Sequence, residues 1–280
     1  MGEDLRDRIG PHYRDGDEDA RLRAGLGRLE LARVQEIVRR YLPAAPAAIL
    51  DVGGATGVHA EWLLEDGHSV HLVDLLDEHV QKARERLDRW PRFTAEVGDA
   101  RALTAPDASY DVVLVFGPLY HLQEADDRVA VWREAARVVR PGGAVLGIGI
   151  SRFASMHDGL AGGDLFDPEF RAIVEADLAT GRHENRTGRF HGFTTGWFTR
   201  PDQLAAEARE VGLADVEVLA VQGVAGWLST LASRWDDDEA REVILWALRA
   251  TEREPSIVGA SPHVVAVGRR PRTPHPLASE

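Results

Sequence analysis

Short apolar runs alternate with amphipathic stretches between residues 48 and 150. The apolar runs 49–52, 70–74, 110–116 and 144–150 have the length of strands, and the stretches between them have helical spacing. Such regular alternation is typical of α/β proteins, and it predicts a doubly wound, mostly parallel sheet. A further helix is predicted just before this region, because apolar side chains recur there at helical spacing: Leu29, Val34, Ile37, Val38 and Tyr41.

The alternation stops after Ile150, and the rest of the chain divides by composition. We predict an N-terminal arm and lid helix (1–42), a cofactor-binding core (43–150) and a substrate cap inserted between strands five and six (151–200). Residues 201–270 complete the core sheet and carry a helical insertion at 227–254. Residues 271–280 are rich in proline and are expected to form a flexible tail.

A glycine-rich turn follows the first predicted strand, in the segment ILDVGGATG at residues 49–57. Asp51 ends the strand, and Gly53, Gly54 and Gly57 permit a tight bend into a helix. A ligand can approach bare backbone in such a turn, and a nucleotide-like cofactor is the expected guest. Taken alone this motif is weak, because similar turns also bind dinucleotides.

Two more acidic residues follow later strands. Asp74 lies 23 residues after Asp51, close to the offset of about 20 residues at which a carboxylate binds ribose in a βαβ unit. Asp99 closes the third βα unit, where a polar side chain can meet an adenine edge. The alternative interpretations are a plain strand end for Asp74 and a turn-forming aspartate for Asp99.

The fourth predicted strand runs into the turn FGPLYHL at residues 116–122, and a helix then leads to RPGG at residues 140–143 before a fifth strand. Together with the acids and the glycine turn, this order resembles the class I S-adenosylmethionine (SAM) dependent methyltransferases, over about residues 25–270. The FGPLYHL turn and the later ISRFAS segment are similar to a bacterial subgroup that acts on small molecules.

The resemblance implies a Rossmann-like methyltransferase fold with a seven-stranded sheet, and SAM as the cofactor. Besides Asp51, the glycines, Asp74 and Asp99, we assign cofactor contacts to four other residues: Tyr13, Leu75, Ala100 and Phe116. The sequence departs from the family at Ala55, where a third glycine is common. Alanine tolerates most turn geometries but not a strongly positive φ.

Composition narrows the choice of partners. The 280 residues carry a net charge of −13, which disfavours binding to phosphate backbones, and they include no cysteine, which excludes disulfides and thiolate ligands. The first residues do not resemble a signal peptide, and no apolar run approaches a membrane span. We expect a cytoplasmic, soluble protein, monomeric or homodimeric.

Methyl transfer is an in-line displacement that requires alignment, exclusion of water and, for some acceptors, a base. His121 is the candidate base, although a histidine packed under the cofactor is the alternative. Candidate substrate contacts are Tyr120, Arg152, His157, His191 and Trp197. His183 and His191 have no recognised metal-ligand spacing, so we expect no metal.

The predicted reaction is transfer of a methyl group from SAM to a small molecule, with oxygen the favoured acceptor atom before nitrogen or carbon. Two other functions remain open from the sequence. One is a protein of this fold that binds SAM without methylating. This alternative stays open because Ala55 departs from the glycine that is common in the family. The other is a nicotinamide-dependent oxidoreductase, although the Gly-x-Gly-x-x-Gly pattern is absent.

Overall fold

The computed structural model describes residues 18–185, 189–190, 195–228 and 230–272. The chain divides into two units. One, here called the sheet unit, comprises residues 37–148, 204–217 and 266–280, and the other, the helical unit, comprises residues 1–36, 149–203 and 218–265. The predicted residues Tyr13 and His191 lie outside the described part of the chain.

The sheet unit is built on parallel strands in the order β3-β2-β1-β4-β5, with β9 beside β5 and β8 beside β9. Leu50 is paired with His71 on β2 and with Val113 on β4. Gly142 donates a backbone hydrogen bond to Arg270, which extends the sheet on the other side. The strands are β1 (Ala48–Val52), β2 (Ser69–Asp74), β3 (Phe93–Val97), β4 (Tyr110–Val115), β5 (Val139–Ser151), β8 (Ala214–Ala220) and β9 (His263–Arg269).

The central strands are buried on both faces, as is usual for a parallel sheet covered by helices. Trp132 is the largest fully buried side chain of this unit. The helices of the unit are α3 (Val58–Glu65), α4 (Asp77–Leu87), α5 (Pro118–His121), α6 (Ala125–Val138) and α9 (Pro201–Glu210). The predicted doubly wound fold is confirmed.

The helical unit has its own buried centre. Leu29 packs in one apolar cluster with residues of the later helices, including Trp235 and Leu248. Its helices are α1 (Glu18–Arg23), α2 (Gly27–Arg39), α7 (Ala154–Gly162), α8 (Pro168–Thr180), α10 (Leu231–Trp235) and α11 (Asp238–Thr251), with 3₁₀ turns at Asp164–Phe166, Gly223–Trp227 and Val258–Ala260.

A buried ion pair between Arg33 and Glu252 connects α2 to the end of α11. The Arg33 side chain is fully buried, and it donates a hydrogen bond of 2.6 Å to the equally buried Glu252 and one of 3.3 Å to the carbonyl oxygen of Val221. Arg33 also donates to Glu36 at 2.6 Å, and Arg253 donates to Glu252, so the buried pair belongs to a network of four charged side chains.

Three local features differ from the sequence-based expectation. The segment 151–200 contains two unpredicted strands, β6 (Arg182–Glu184) and β7 (Thr195–Thr199), and β7 pairs with the end of β5 at Ile150 and Ser151. The helix predicted over 227–254 is broken into a 3₁₀ turn and two α-helices. Helix α6 ends at Val138, so that RPGG lies within β5 rather than before it.

The glycine turn places an alanine in the left-handed region. Gly53 and Gly57 have φ values of +77° and +86°, and Ala55 between them has a φ of +46°. An L-residue with a Cβ pays roughly 1–2 kcal/mol for this conformation. The departure noted in the sequence therefore sits at a position where glycine would be less strained.

We predict that Ala55→Gly stabilises the protein by about 0.5–1 kcal/mol, because relief of the left-handed strain exceeds the extra entropy of glycine in the unfolded chain. Urea unfolding measures this change. Ala108→Gly should act in the same direction, since its φ is +52°. Ala247→Gly in the exposed middle of α11 should instead destabilise by about 1 kcal/mol. Equal destabilisation by all three changes would contradict the strain at Ala55.

Candidate active site

Asp51 is a buried carboxylate with unused hydrogen-bonding capacity. It lies on β1 with its side chain fully inside the protein, and neither carboxylate oxygen has a hydrogen-bond partner in the part of the chain that the structure describes. Burial, and secondarily the charge of Asp74, raises the Asp51 pKa to about 7. Buried polar groups are normally paired, so this one indicates a position where a ligand supplies the donor.

Asp74 braces the glycine turn. At the end of β2, its Oδ2 accepts a hydrogen bond of 2.9 Å from the backbone N–H of Ala55, and its Oδ1 accepts one of 2.9 Å from the N–H of Leu76. The ring of His79 lies 3.1 Å from the same Oδ1, and an ionised Asp74 requires the proton on Nδ1 for that contact. The predicted ribose contact stays a prediction, for which Oδ2 keeps an accepting lone pair.

The turn between these two acids is a backbone cradle. A Cβ on Gly54 would lie 2.7 Å from Oδ2 of Asp51, so only glycine fits above the buried carboxylate. The Thr56 hydroxyl in the same turn is also buried without a partner among the described residues. Bare backbone, an unpaired acid and an unpaired hydroxyl in one turn fit a polar cofactor such as SAM.

Asp99 is engaged by a neighbouring arginine. Arg101 approaches it with Nη2 at 2.6 Å and Nε at 3.0 Å, and also pairs with Asp127 at 3.0 Å. Asp99 is thereby held rigidly next to Ala100, at the end of the third βα unit. Its predicted contact with adenine stays a prediction, as do the contacts assigned to Ala100 and Leu75, which are both partly buried.

The turn after β4 gathers aromatic rings. Phe116 is buried, and its ring meets the His59 ring edge to face at 5.2 Å between centroids. His121 ends α5 and is also buried, with its ring 4.8 Å from that of Tyr120. The two candidate residues of this turn are therefore neighbours, and the role of His121 as a base stays a prediction.

The helical unit contains a separate cavity of about 340 Å³. Its lining is mainly apolar and aromatic, with Phe170, Phe198 and Trp227 among the walls, and it includes the carboxylates of Glu30 and Asp158. A volume of this size lies at the lower end of the roughly 300–1,000 Å³ typical of small-molecule pockets.

A hydrogen-bonded group supports one wall of this cavity. The fully buried Asp177 accepts hydrogen bonds from the Ser155 hydroxyl at 2.6 Å and lies 2.9 Å from Nδ1 of His183. The His183 ring stacks on Phe198 with 4.5 Å between centroids. Ser155, His183 and Phe198 all line the cavity, so Asp177 fixes side chains of the cavity wall.

Three residues predicted to contact the substrate belong to this unit but do not line the cavity, and their contacts with a substrate stay predictions. Arg152 is buried, and its guanidinium binds the Phe198 carbonyl oxygen at 2.7 Å and Gln203 at 2.9 Å, with Trp197 5.5 Å away. Neither Arg152 nor Trp197 lines the cavity. His157 stacks on Trp227 at 4.7 Å and so supports the wall from behind, and burial lowers its pKa.

Several residues of these sites were not singled out in the sequence. Thr56 lies within the recognised motif, so its position in the glycine turn was an available signal. Asp177 and His183 gave no such signal, because their meeting depends on how α8 and β6 fold together. The residues without an assigned role were Glu30, Thr56, His79, Ser155, Asp177 and Trp227, and His183 was considered only as a metal ligand.

Among the described residues, none of the helices is both long and apolar enough to cross a membrane. No group of three or more histidine, aspartate or glutamate side chains is arranged there to hold a metal ion.

Comparison with known proteins finds similarity to methyltransferases over part of the chain. A family model described as a methyltransferase domain matches residues 49–143. Over 99 residues the chain is 36% identical to 27-O-demethylrifamycin SV methyltransferase of Amycolatopsis mediterranei, covering 34% of this chain and 35% of that protein. It is 38% identical over 103 residues to malonyl-[acyl-carrier protein] O-methyltransferase of Halorhodospira halophila, covering 36% and 34%. These matches span about a third of the length of either relative.

The fold extends the similarity beyond the matched domain. Phosphoethanolamine N-methyltransferase 2 of Haemonchus contortus, solved with S-adenosylhomocysteine and phosphomonomethylethanolamine, aligns with a TM-score of 0.60 at 16% identity, over 96% of this chain and 61% of that one. At 16% identity the alignment shows a shared fold and nothing more specific. The chain therefore contains a match to a methyltransferase domain at residues 49–143, on a fold shared with a phosphoethanolamine N-methyltransferase.

Proposed function

We propose that the protein is an enzyme that transfers a methyl group from SAM to a small-molecule acceptor. The observation that carries this proposal is the braced glycine turn above a buried, unpartnered Asp51. Formation of S-adenosylhomocysteine with an acceptor tests it directly. Turnover also separates this enzyme from a protein that binds SAM without methylating, and a thermal shift with SAM but not with NAD separates it from an oxidoreductase.

SAM, when bound, supplies an activated methyl group on a sulfonium. The chain's own part is to bind and orient. Gly53 and Gly54 offer bare backbone, Asp51 accepts hydrogen bonds from the cofactor, and Asp74 keeps the turn in shape while accepting from the ribose. His121 is our candidate for receiving a proton from the acceptor.

The acceptor we propose is a small molecule in the cytoplasm rather than a nucleic acid or a lipid membrane. A cavity of about 340 Å³ in the helical unit supports the size class. The net charge of −13 speaks against a nucleic acid. Both curated relatives named above act on oxygen by their names, which supports oxygen as the first acceptor atom to test, before nitrogen or carbon.

Asp74→Ala should weaken binding of S-adenosylhomocysteine at least tenfold, because charge-assisted hydrogen bonds contribute roughly 1.5–3 kcal/mol each. Titration calorimetry measures the change. Asp77→Ala is the matched control: Asp77 is three residues away on α4, is exposed, and bonds to Gln81. An affinity that is the same in wild type and Asp74→Ala removes Asp74 from the cofactor site.

The raised pKa of Asp51 predicts that cofactor binding releases a proton. Donors from the ligand stabilise the carboxylate, so the pKa falls from about 7 on binding. At pH 6.5 most molecules of the free protein carry this proton and the complex does not. Binding should therefore release more than half a proton, on the order of one, per molecule of ligand bound. Affinity should accordingly fall as the pH drops below about 7.

Calorimetry in buffers of different ionisation enthalpy measures this release. Asp51→Asn should abolish it, while Asp77→Asn should leave it unchanged. If wild type and Asp51→Asn release the same amount at pH 6.5, the cofactor does not meet the Asp51 carboxylate.

Activity should survive chelation. No arrangement of three or more metal-binding side chains occurs among the described residues, so an alignment mechanism without metal is expected. Rates with any identified acceptor should be equal before and after dialysis against EDTA. Loss of activity that one added divalent ion restores would show that a metal takes part.

A further inference from the structure

We propose that the cavity of the helical unit binds the acceptor through a protonated amine held by Asp158, with the apolar body of the acceptor against Trp227, Phe170 and Phe198. Calling this ligand the acceptor rests on the proposed function. The amine is the group that binds Asp158, and it need not be the atom that receives the methyl group.

The aromatic wall is held in position before any ligand arrives. The indole N–H of Trp227 donates a hydrogen bond of 2.5 Å to the Ala260 carbonyl oxygen, and the ring stacks on His157. Phe198 stacks on His183, which Asp177 anchors. Rigid aromatic faces bind apolar groups at low entropic cost, and their negative π-faces attract cations.

One of the two acidic side chains in the lining is already neutralised. Glu30 is buried, and both of its oxygens accept hydrogen bonds of 2.9 Å from the Arg21 guanidinium. Gln222 also donates to it, at 3.2 Å. Glu30 and Arg21 therefore form a satisfied pair with no net charge to offer a ligand.

Asp158 is different. No described residue forms a hydrogen bond or an ion pair with its carboxylate. Its side chain is exposed to solvent and lines the cavity. Partial desolvation by the surrounding protein atoms, and secondarily the charge of the nearby Asp164, raises the Asp158 pKa.

The ligand that fits is a cation with hydrogen-bond donors and an apolar body. A protonated amine would neutralise Asp158 and lie in reach of aromatic faces. A carboxylate in its place would meet a like charge. A metal ion is a poorer fit, because the described residues offer no set of three ligands around Asp158.

The test uses three probes that share a phenol-bearing ring and differ in the head group: tyramine (cationic), tyrosol (neutral) and 3-(4-hydroxyphenyl)propionate (anionic). Calorimetry at neutral pH with saturating S-adenosylhomocysteine gives their affinities. We expect tyramine to bind the wild type about tenfold or more tighter than tyrosol, which is the scale of one charge-assisted hydrogen bond, and the anion to bind weakest.

Asp158→Asn keeps the shape and removes the charge, so the preference for tyramine should shrink to about twofold or less. Asp164→Asn is the matched control, since it removes a neighbouring charge that does not line the cavity, and most of the preference should remain. An unchanged affinity for S-adenosylhomocysteine confirms that each variant is folded.

Equal binding of tyramine and tyrosol by the wild type, no binding of tyramine at millimolar concentration, or a preference that persists in Asp158→Asn each overturns the inference.

Formation of S-adenosylhomocysteine from SAM with the same probes is measured separately. Amine-selective binding without turnover of any acceptor supports the cavity assignment and counts against the enzyme. Turnover of neutral acceptors without amine preference does the reverse.

Discussion

The site of the sheet unit depends on the hydrogen bonds that the Asp74 carboxylate accepts from the glycine turn and from the start of α4. One oxygen holds the backbone N–H of Ala55 and the other holds that of Leu76, so a single side chain fixes the turn after β1 and the entry to α4. Ala55 adopts a strained, left-handed conformation there. Charge-assisted hydrogen bonds are about twice as strong as neutral ones, which is enough to offset that strain.

The same arrangement explains the unusual state of Asp51. The turn that Asp74 fixes places Gly54 directly over the Asp51 carboxylate, and glycine offers no side chain that could serve as its donor. Asp51 therefore lies buried beside a second acid without compensation, and its pKa rises to about 7. The unpartnered Asp51 carboxylate lowers the stability of the free protein, and a ligand that donates hydrogen bonds to it would restore that stability on binding.

Both units contain buried charged side chains that are paired. In the helical unit, Arg33 with Glu252 and Arg21 with Glu30 form satisfied pairs that organise its helices. Asp158 lacks such a partner, and it is found where an aromatic cavity is available. An uncompensated carboxylate at Asp51 and another at Asp158 mark positions at which this strongly acidic chain can receive ligands that bring donors or positive charge.

The sequence by itself determined the doubly wound fold and the glycine turn with its two acids, because both depend on local periodicity and short spacings between residues 49 and 74. It missed β6 and β7, whose short runs are stabilised by pairing with each other and with β5. Only the tertiary structure decided that Arg152 is buried with its guanidinium bonded to the Phe198 carbonyl oxygen, and that Asp177 positions His183 at a cavity. Those roles depend on side-chain direction and on contacts between distant segments, and periodicity contains neither.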